Sequence, residues 1–163
     1  MSIVLASVLA GSAVSAVAVL WFRRTFLVVT VRGKSMEPTY QTGEQVLVRR
    51  MRRSEVRADE VVVLRGPESA RVQSPSRSAQ KGSGAEPGYL IKRVLAVPGD
   101  DLPRERVPAL RDVADRHVPA GMVVLLGDNS AASYDSRSHG YFSLATVVGT
   151  VVRRLPTQSR SGS

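Results

Sequence analysis

The chain has 163 residues, no cysteine and only two histidines, His117 and His139. That bounds it to one domain with a modest core, excludes a disulfide framework or thiolate zinc site, and leaves little material for a histidine-based metal centre. Its formal charge of +9 at pH 7, carried mostly by arginine, favours anionic partners such as acidic lipid head groups, nucleic acid or an acidic substrate.

In chain order, Ile3 to Phe22 is a run of 20 uncharged, mostly apolar residues. A helix of that length spans about 30 Å, the thickness of a bilayer's hydrocarbon core. Trp21 and Phe22 suit the membrane interface, Arg23 and Arg24 stop the run in water, and Ala10, Gly11, Ser12 and Ser15 permit close helix packing. The N-terminus carries no basic side chain, which a cleaved secretory signal needs, so a buried soluble helix is the other alternative. The expectation is one transmembrane anchor over residues 1–24. Arg23 and Arg24 lie on its C-terminal side, and the positive-inside rule puts the body of the protein in the cytoplasm.

After the anchor the pattern turns to short β-branched runs: Phe26 to Val31, Gln45 to Arg49, Val61 to Leu64, Tyr89 to Val97, Met122 to Leu126 and Thr146 to Val152. Gly33, Pro38, Gly43, Gly66-Pro67, Gly88, Pro98-Gly99, Gly121 and Gly127 punctuate them. No segment outside the anchor keeps a helical period, so residues 25–155 read as mainly β, a single barrel- or sandwich-like domain. The run Arg49-Arg50-Met51-Arg52-Arg53 is either a solvated turn or a membrane-surface patch, each cation near an anionic leaflet being worth about 1 kcal/mol. It lacks the interleaved aromatics of a nucleic-acid site. Residues 67–88 are rich in Ser, Gly, Pro and Arg and predict a flexible surface loop; residues 101–119 predict a small irregular cap, and 156–163 a disordered tail.

Three clusters carry chemistry. Gly33-Lys34-Ser35-Met36-Glu37-Pro38-Thr39 follows a strand, and its Gly and Pro fix a turn that holds Ser35 in one orientation. Taken alone it is a plain turn. Tyr89-Leu90-Ile91-Lys92-Arg93-Val94 sets a lysine inside an apolar strand, where alternation turns Lys92 or Arg93 inward. A buried ammonium is costly, so for a single strand the bland reading is Lys92 snorkelling to solvent. Gly127-Asp128-Asn129, continuing to Ser133-Tyr134-Asp135-Ser136-Arg137, is a turn and polar loop in which Asp135 and Arg137 invite an ion pair.

The ordered set Ser-Met-x-Pro-Thr, Lys-Arg-Val with Pro98-Gly99-Asp100, Gly-Asp-Asn and Ser-x-Asp-Ser-Arg resembles the type I signal peptidases from about Val31 to Leu155. The resemblance implies a membrane-bound serine endopeptidase that removes signal or leader peptides from exported precursors. Ser35 matches the nucleophile, Lys92 the general base and Ser133 the serine that orients the lysine amine. The oxyanion donors fall at the backbone of Ser35 and at Gly33. Met36 packs beside the substrate, and Asp135 and Arg137 brace the loop. The implied partners are a precursor or leader peptide and the lipid bilayer, with no metal or organic cofactor and no nucleic acid. The implied location is a single-pass protein of the cell membrane with its catalytic domain extracytoplasmic, against the charge rule at Arg23 and Arg24. Ser130-Ala131-Ala132 departs from the family's usual loop, and the short stretch between Pro-Gly-Asp and Gly-Asp-Asn resembles small, specialised members.

The lysine must be neutral to act as a base, which burial among Leu90, Ile91, Val94 and Leu95 favours. Rival readings are a Ser-His-Asp hydrolase using His139, a self-cleaving repressor that also uses Ser and Lys, and a membrane-tethered basic β-domain that binds a partner or lipid without catalysis. The first leaves Lys92 unexplained, the second needs a DNA-binding helical module, and the third makes three ordered motifs a coincidence.

Overall fold

The computed structural model describes residue 15 and residues 17–51, 55–66 and 88–156. Residues 17–25 form helix α1, which passes directly into the first strand. The strands are β1 (Phe26–Thr30), β2 (Gln45–Arg50), β3 (Val61–Arg65), β4 (Tyr89–Ala96), β5 (Met122–Leu126), β6 (Phe142–Ser143) and β7 (Val147–Leu155). A four-residue helix, α2 (Ser136–His139), lies between β5 and β6.

All pairings are antiparallel, and the sheet runs β1-β2-β7-β3-β4-β5-β6. Register shifts at Leu47/Val48, Val63/Leu64 and Val94/Ala96 sharpen the local twist, and the sheet curls. The mainly β architecture expected from the sequence is thus a single curled sheet. The alternation in β2 buries Val46 and Val48 and exposes Gln45 and Arg49, as its pattern requires. In β3, Val61 to Leu64 are buried on both faces, because β3 lies between β7 and β4 with apolar clusters on either side. Each such side chain contributes about 1.5–3 kcal/mol on full burial.

The first cluster gathers Val29, Val31, Met36, Val46, Val48, Val61, Val63 and Ile91; the second joins Val62, Leu64 and Val94 to Val123, Leu125, Phe142 and Leu144. Residues 101–119 contain one 3-10 turn, Pro108–Leu110, and pack Leu102, Val107, Leu110 and Val118 onto Ala96, Val124 and Leu126. Arg104 secures that segment by donating to the carbonyls of Arg111, Val113 and Asp115.

The expected anchor over 1–24 falls largely outside the described residues, and among those described no helix is long and apolar enough to cross a membrane. In α1 the side chains of Val17, Val19, Leu20, Trp21 and Phe22 are exposed, and Phe22 stacks on Phe26 at 4.8 Å. The expected loop 67–88 lies outside the described residues except Gly88, whose carbonyl accepts from the Gly66 N–H at 2.7 Å. The expected tail is likewise outside from residue 157 onward. Arg49 and Arg50 are exposed at the end of β2, and Arg52 and Arg53 are outside.

The last strand fills the middle of the sheet, and at Gly149 its backbone passes close to that of β2. A Cβ there would stand 2.2 Å from the Arg49 carbonyl oxygen and 2.8 Å from its carbon. Gly149→Ala is therefore expected to cost about 1–3 kcal/mol through forced backbone movement. A thermal melt checks this, with exposed Val152→Thr as the control that stays within about 0.5 kcal/mol.

Candidate active site

The site begins with the position of Lys92 in β4. Its cross-strand partner is Val62, and alternation puts it on the same face as Leu90 and Val94, which belong to the second cluster. The side chain is 2% exposed, so it does not snorkel. Burial pushes the amine below its ordinary pKa; nearby Asp135 opposes that shift and Arg137 reinforces it. Among the described residues Lys92 forms no ion pair. Its amine hydrogen-bonds to the Ser133 hydroxyl at 3.0 Å.

Arg93 points the other way and meets Asp128 with both edges of its fork, Nε to Oδ1 at 2.9 Å and Nη2 to Oδ2 at 2.8 Å. Its Nη1 donates to the Asp59 carbonyl at 3.0 Å. The Arg93 hydrogen bond holds the Asp128 carboxyl below its usual range against the effect of burial, and the Thr39 hydroxyl, 2.5 Å from Oδ2, assists. One carboxylate thus ties the turn carrying Ser35 to the strand carrying Lys92. The sequence reading missed this function of Thr39, Arg93 and Asp128, although all three lie inside its motif blocks.

The Ser35 turn leaves β1 through Gly33, whose φ of 80° is left-handed and favours glycine. Val31 and Gly43 close its neck through Val31 N–H to Glu44 O at 2.8 Å and Gly43 N–H to Val31 O at 2.9 Å. Met36, 1% exposed, packs in the first cluster and holds the turn to the sheet. The Ser35 carbonyl accepts from the Asn129 N–H at 3.0 Å, which docks the turn on the Gly-Asp-Asn segment. The Ser35 hydroxyl is half-buried and makes no hydrogen bond to the amine among the described residues. Beside Gly33 nothing lies within 4 Å of where a Cβ would stand, and its carbonyl accepts from the Thr42 hydroxyl at 3.0 Å.

Asp135 and Ser136 are fully buried and act on β5 as a neighbouring strand would. Gly127 N–H donates to Asp135 Oδ2 at 2.8 Å, and Leu125 N–H to Ser136 Oγ at 2.8 Å. Asp135 also caps α2 through the Arg137 N–H at 3.0 Å and pairs with the Arg137 guanidinium at 3.0 Å. Arg137 reaches back to the Gly127 carbonyl at 3.0 Å. These bonds fix the loop that presents Ser133 to Lys92. The Asp135 carboxylate is fully occupied, whereas His139 meets Tyr134 OH through Nδ1 at 2.5 Å and packs on Phe142. Among the described residues His139 pairs with no aspartate, and the Asp–His pair that does form, His117 Nδ1 to Asp101 Oδ1 at 3.2 Å, lies in the 101–119 segment, so the triad reading based on His139 does not assemble.

Gly127 is a further residue, one that the sequence reading treated as a turn former within the Gly-Asp-Asn block. A Cβ on it would lie 2.1 Å from Ser133 Oγ, 2.6 Å from Ser133 Cβ and 2.6 Å from the Ser35 carbonyl oxygen. Ser133 and the Ser35 backbone therefore converge on one α-carbon, beside the lysine amine that Ser133 holds. Only the absence of a side chain makes that approach possible. No linear motif reveals such a space requirement.

The family model described as signal peptidase, peptidase S26, matches residues 5–109 and 104–155. The chain is 26% identical over 159 residues to a signal peptidase I of Leptolyngbya laminosa, covering 85% of this chain and 74% of that protein. It is 31% identical over 133 residues to mitochondrial inner membrane protease subunit 1 of Schizosaccharomyces pombe, covering 80% and 73% respectively. The corresponding protein of Xenopus tropicalis is 30% identical over 132 residues, covering 78% and 68%. The chain belongs to the signal peptidase family, peptidase S26, a family of serine peptidases that cleave leader peptides.

Gly127→Ala is expected to displace Ser133 or the Ser35 carbonyl and to lower peptidase activity by about a hundredfold, the scale of a misplacement of about 1 Å. Activity on a peptide with Ala at −1 and −3, measured alongside the melting temperature, checks whether activity falls far more than stability.

Proposed function

We propose that the protein is a membrane-bound serine endopeptidase that removes signal or leader peptides from exported precursors, with Ser35 as nucleophile and Lys92 as its general base. The observation that carries this reading is the buried Lys92 amine, 2% exposed and bonded to the neutral Ser133 hydroxyl, with its pKa lowered by burial. An amine kept free of carboxylates can be neutral at working pH and accept a proton.

In the proposed reaction Lys92 takes the proton of Ser35 as Oγ attacks the scissile carbonyl. The oxyanion is stabilised by backbone donors at Ser35 and Gly33. The lysine then passes its proton to the leaving amine, which departs with the mature chain. Water, deprotonated by the neutral lysine, attacks the resulting acyl-enzyme; the ester bond to Ser35 Oγ breaks, the leader leaves with a new carboxylate, and the lysine returns the proton to Ser35. Ser133 aims the amine, Asp135 and Arg137 brace its loop, and Met36 fixes the Ser35 turn. Small residues at −1 and −3 are the expected cleavage determinants.

Residues 3–22 serve as the membrane anchor in this reading, with the catalytic body outside the cytoplasm. The exposed apolar side chains of α1 support it, as do the membrane-protease names of two relatives. The intact protein should stay with the membrane through an alkaline carbonate wash, and deletion of residues 1–24 should release it. Complete extraction of the intact chain would reduce its attachment to surface arginines.

Ser35→Ala and Lys92→Ala should each lower turnover by several orders of magnitude without loss of fold. Because the neutral amine is the active form, the rate should rise as pH passes upward through the lowered Lys92 pKa and then level off. Lys92→Arg should be inactive at every pH, since guanidinium does not deprotonate. A pH–rate profile on the small-residue peptide decides the matter. A limb that follows a group near pH 6.5 and disappears in His139→Ala would make histidine the base.

A further inference from the structure

The turn carrying Ser35 is held from two sides by different parts of the molecule. One side is the Gly-Asp-Asn segment, through Asp128 on the Thr39 hydroxyl and Asn129 on the Ser35 carbonyl. The other side is held by one side chain from the end of β7. Arg154 Nε lies 3.2 Å from Glu44 Oε2, its Nη2 donates to the Thr39 carbonyl, and its guanidinium stands 5.3 Å from the centroid of the Tyr40 ring. Glu44 Oε2 also accepts from the Gln41 N–H at 3.1 Å. Thr39 is therefore gripped twice, by its hydroxyl from Asp128 and by its carbonyl from Arg154.

We infer that Arg154 is a positioning residue for Ser35, pulling the Thr39–Glu44 limb of the turn against the end of β7 so that the hydroxyl is presented to Lys92. The inference rests on the reading of Ser35 as nucleophile. An exposed ion pair adds little to stability, and Arg154 is half exposed, so its contribution is geometric. A planar fork reaches a carboxylate and a carbonyl together while stacking on a ring; a lysine makes one of these contacts at a time. The neighbouring Arg153 is exposed and has no side-chain partner among the described residues, so it carries the same charge without the contacts.

The test compares the full chain, purified in detergent, with Ser35→Ala, Arg154→Gln, Arg154→Lys and Arg153→Gln. The kcat, KM and pH–rate profile are read on the small-residue peptide, well below the melting temperature of each variant. Arg154→Gln is expected to lower kcat about ten- to a hundredfold. KM should change little, and the inflexion of the pH profile should not move, because the surroundings of Lys92 are untouched. Arg154→Lys should recover part of the loss, and Arg153→Gln should match wild type. An equal loss in Arg153→Gln marks a general charge effect, and a moved inflexion marks damage around Lys92; either overturns the assignment, as does wild-type kcat in Arg154→Gln. Ser35→Ala separates the two levels. If it keeps activity the nucleophile itself is misassigned, whereas an inactive Ser35→Ala beside a fully active Arg154→Gln removes Arg154 alone.

Discussion

Burial of a single amine constrains most of this site. Lys92 is enclosed because β4 lies between β3 and β5 and its face belongs to the second apolar cluster. An ammonium there is costly, and a nearby free carboxylate would repay that cost by pairing with it and keeping it charged. The structure prevents this pairing by committing Asp135 elsewhere. Its oxygens take the N–H groups of Gly127 and Arg137 and the Arg137 guanidinium; burial outweighs the influence of Asp135 on Lys92, and Arg137 opposes part of that influence. What remains at the amine is a neutral hydroxyl, which can orient it without forcing it to hold a proton.

The residue after the lysine solves a different problem on the opposite face. Arg93 draws Asp128 towards β4, and Asp128 draws Thr39, so the three sequence blocks meet through one carboxylate. Hydrogen bonds to charged groups are worth about 1.5–3 kcal/mol each, and less here because Arg93 is about a third exposed. That energy is modest for the fold as a whole. Its direction matters more, since it acts between the turn carrying Ser35 and the strand carrying Lys92, the two residues proposed to exchange a proton.

The arginine excess also takes on a more specific meaning. Arg104 fastens the 101–119 segment through three carbonyls, Arg137 spans Asp135 and the Gly127 carbonyl, and Arg93 and Arg154 hold the two sides of the Ser35 turn. These are fork-shaped, several-point contacts of a kind that lysine makes poorly. A net charge of +9 therefore includes cations used inside the domain to fasten loops, alongside exposed ones such as Arg49, Arg50 and Arg153.

The sequence by itself determined the β character, the position of most strands and the three blocks that meet at the candidate site. Strand period, β-branching and turn chemistry are local properties that can be read within a few residues. The choice between Lys92 and Arg93 for the interior was open in the sequence, since alternation separates them without saying which face is covered. Only the tertiary structure decided it, through the packing of β3 and β5 on either side of β4. It also decided the insertion of β7 between β2 and β3, the two-residue β6, the closeness that requires Gly127 and Gly149, and the reach of Arg154 to the Ser35 turn. Each of these depends on atoms from segments distant in the chain coming within a few ångströms, a distance that no periodicity encodes.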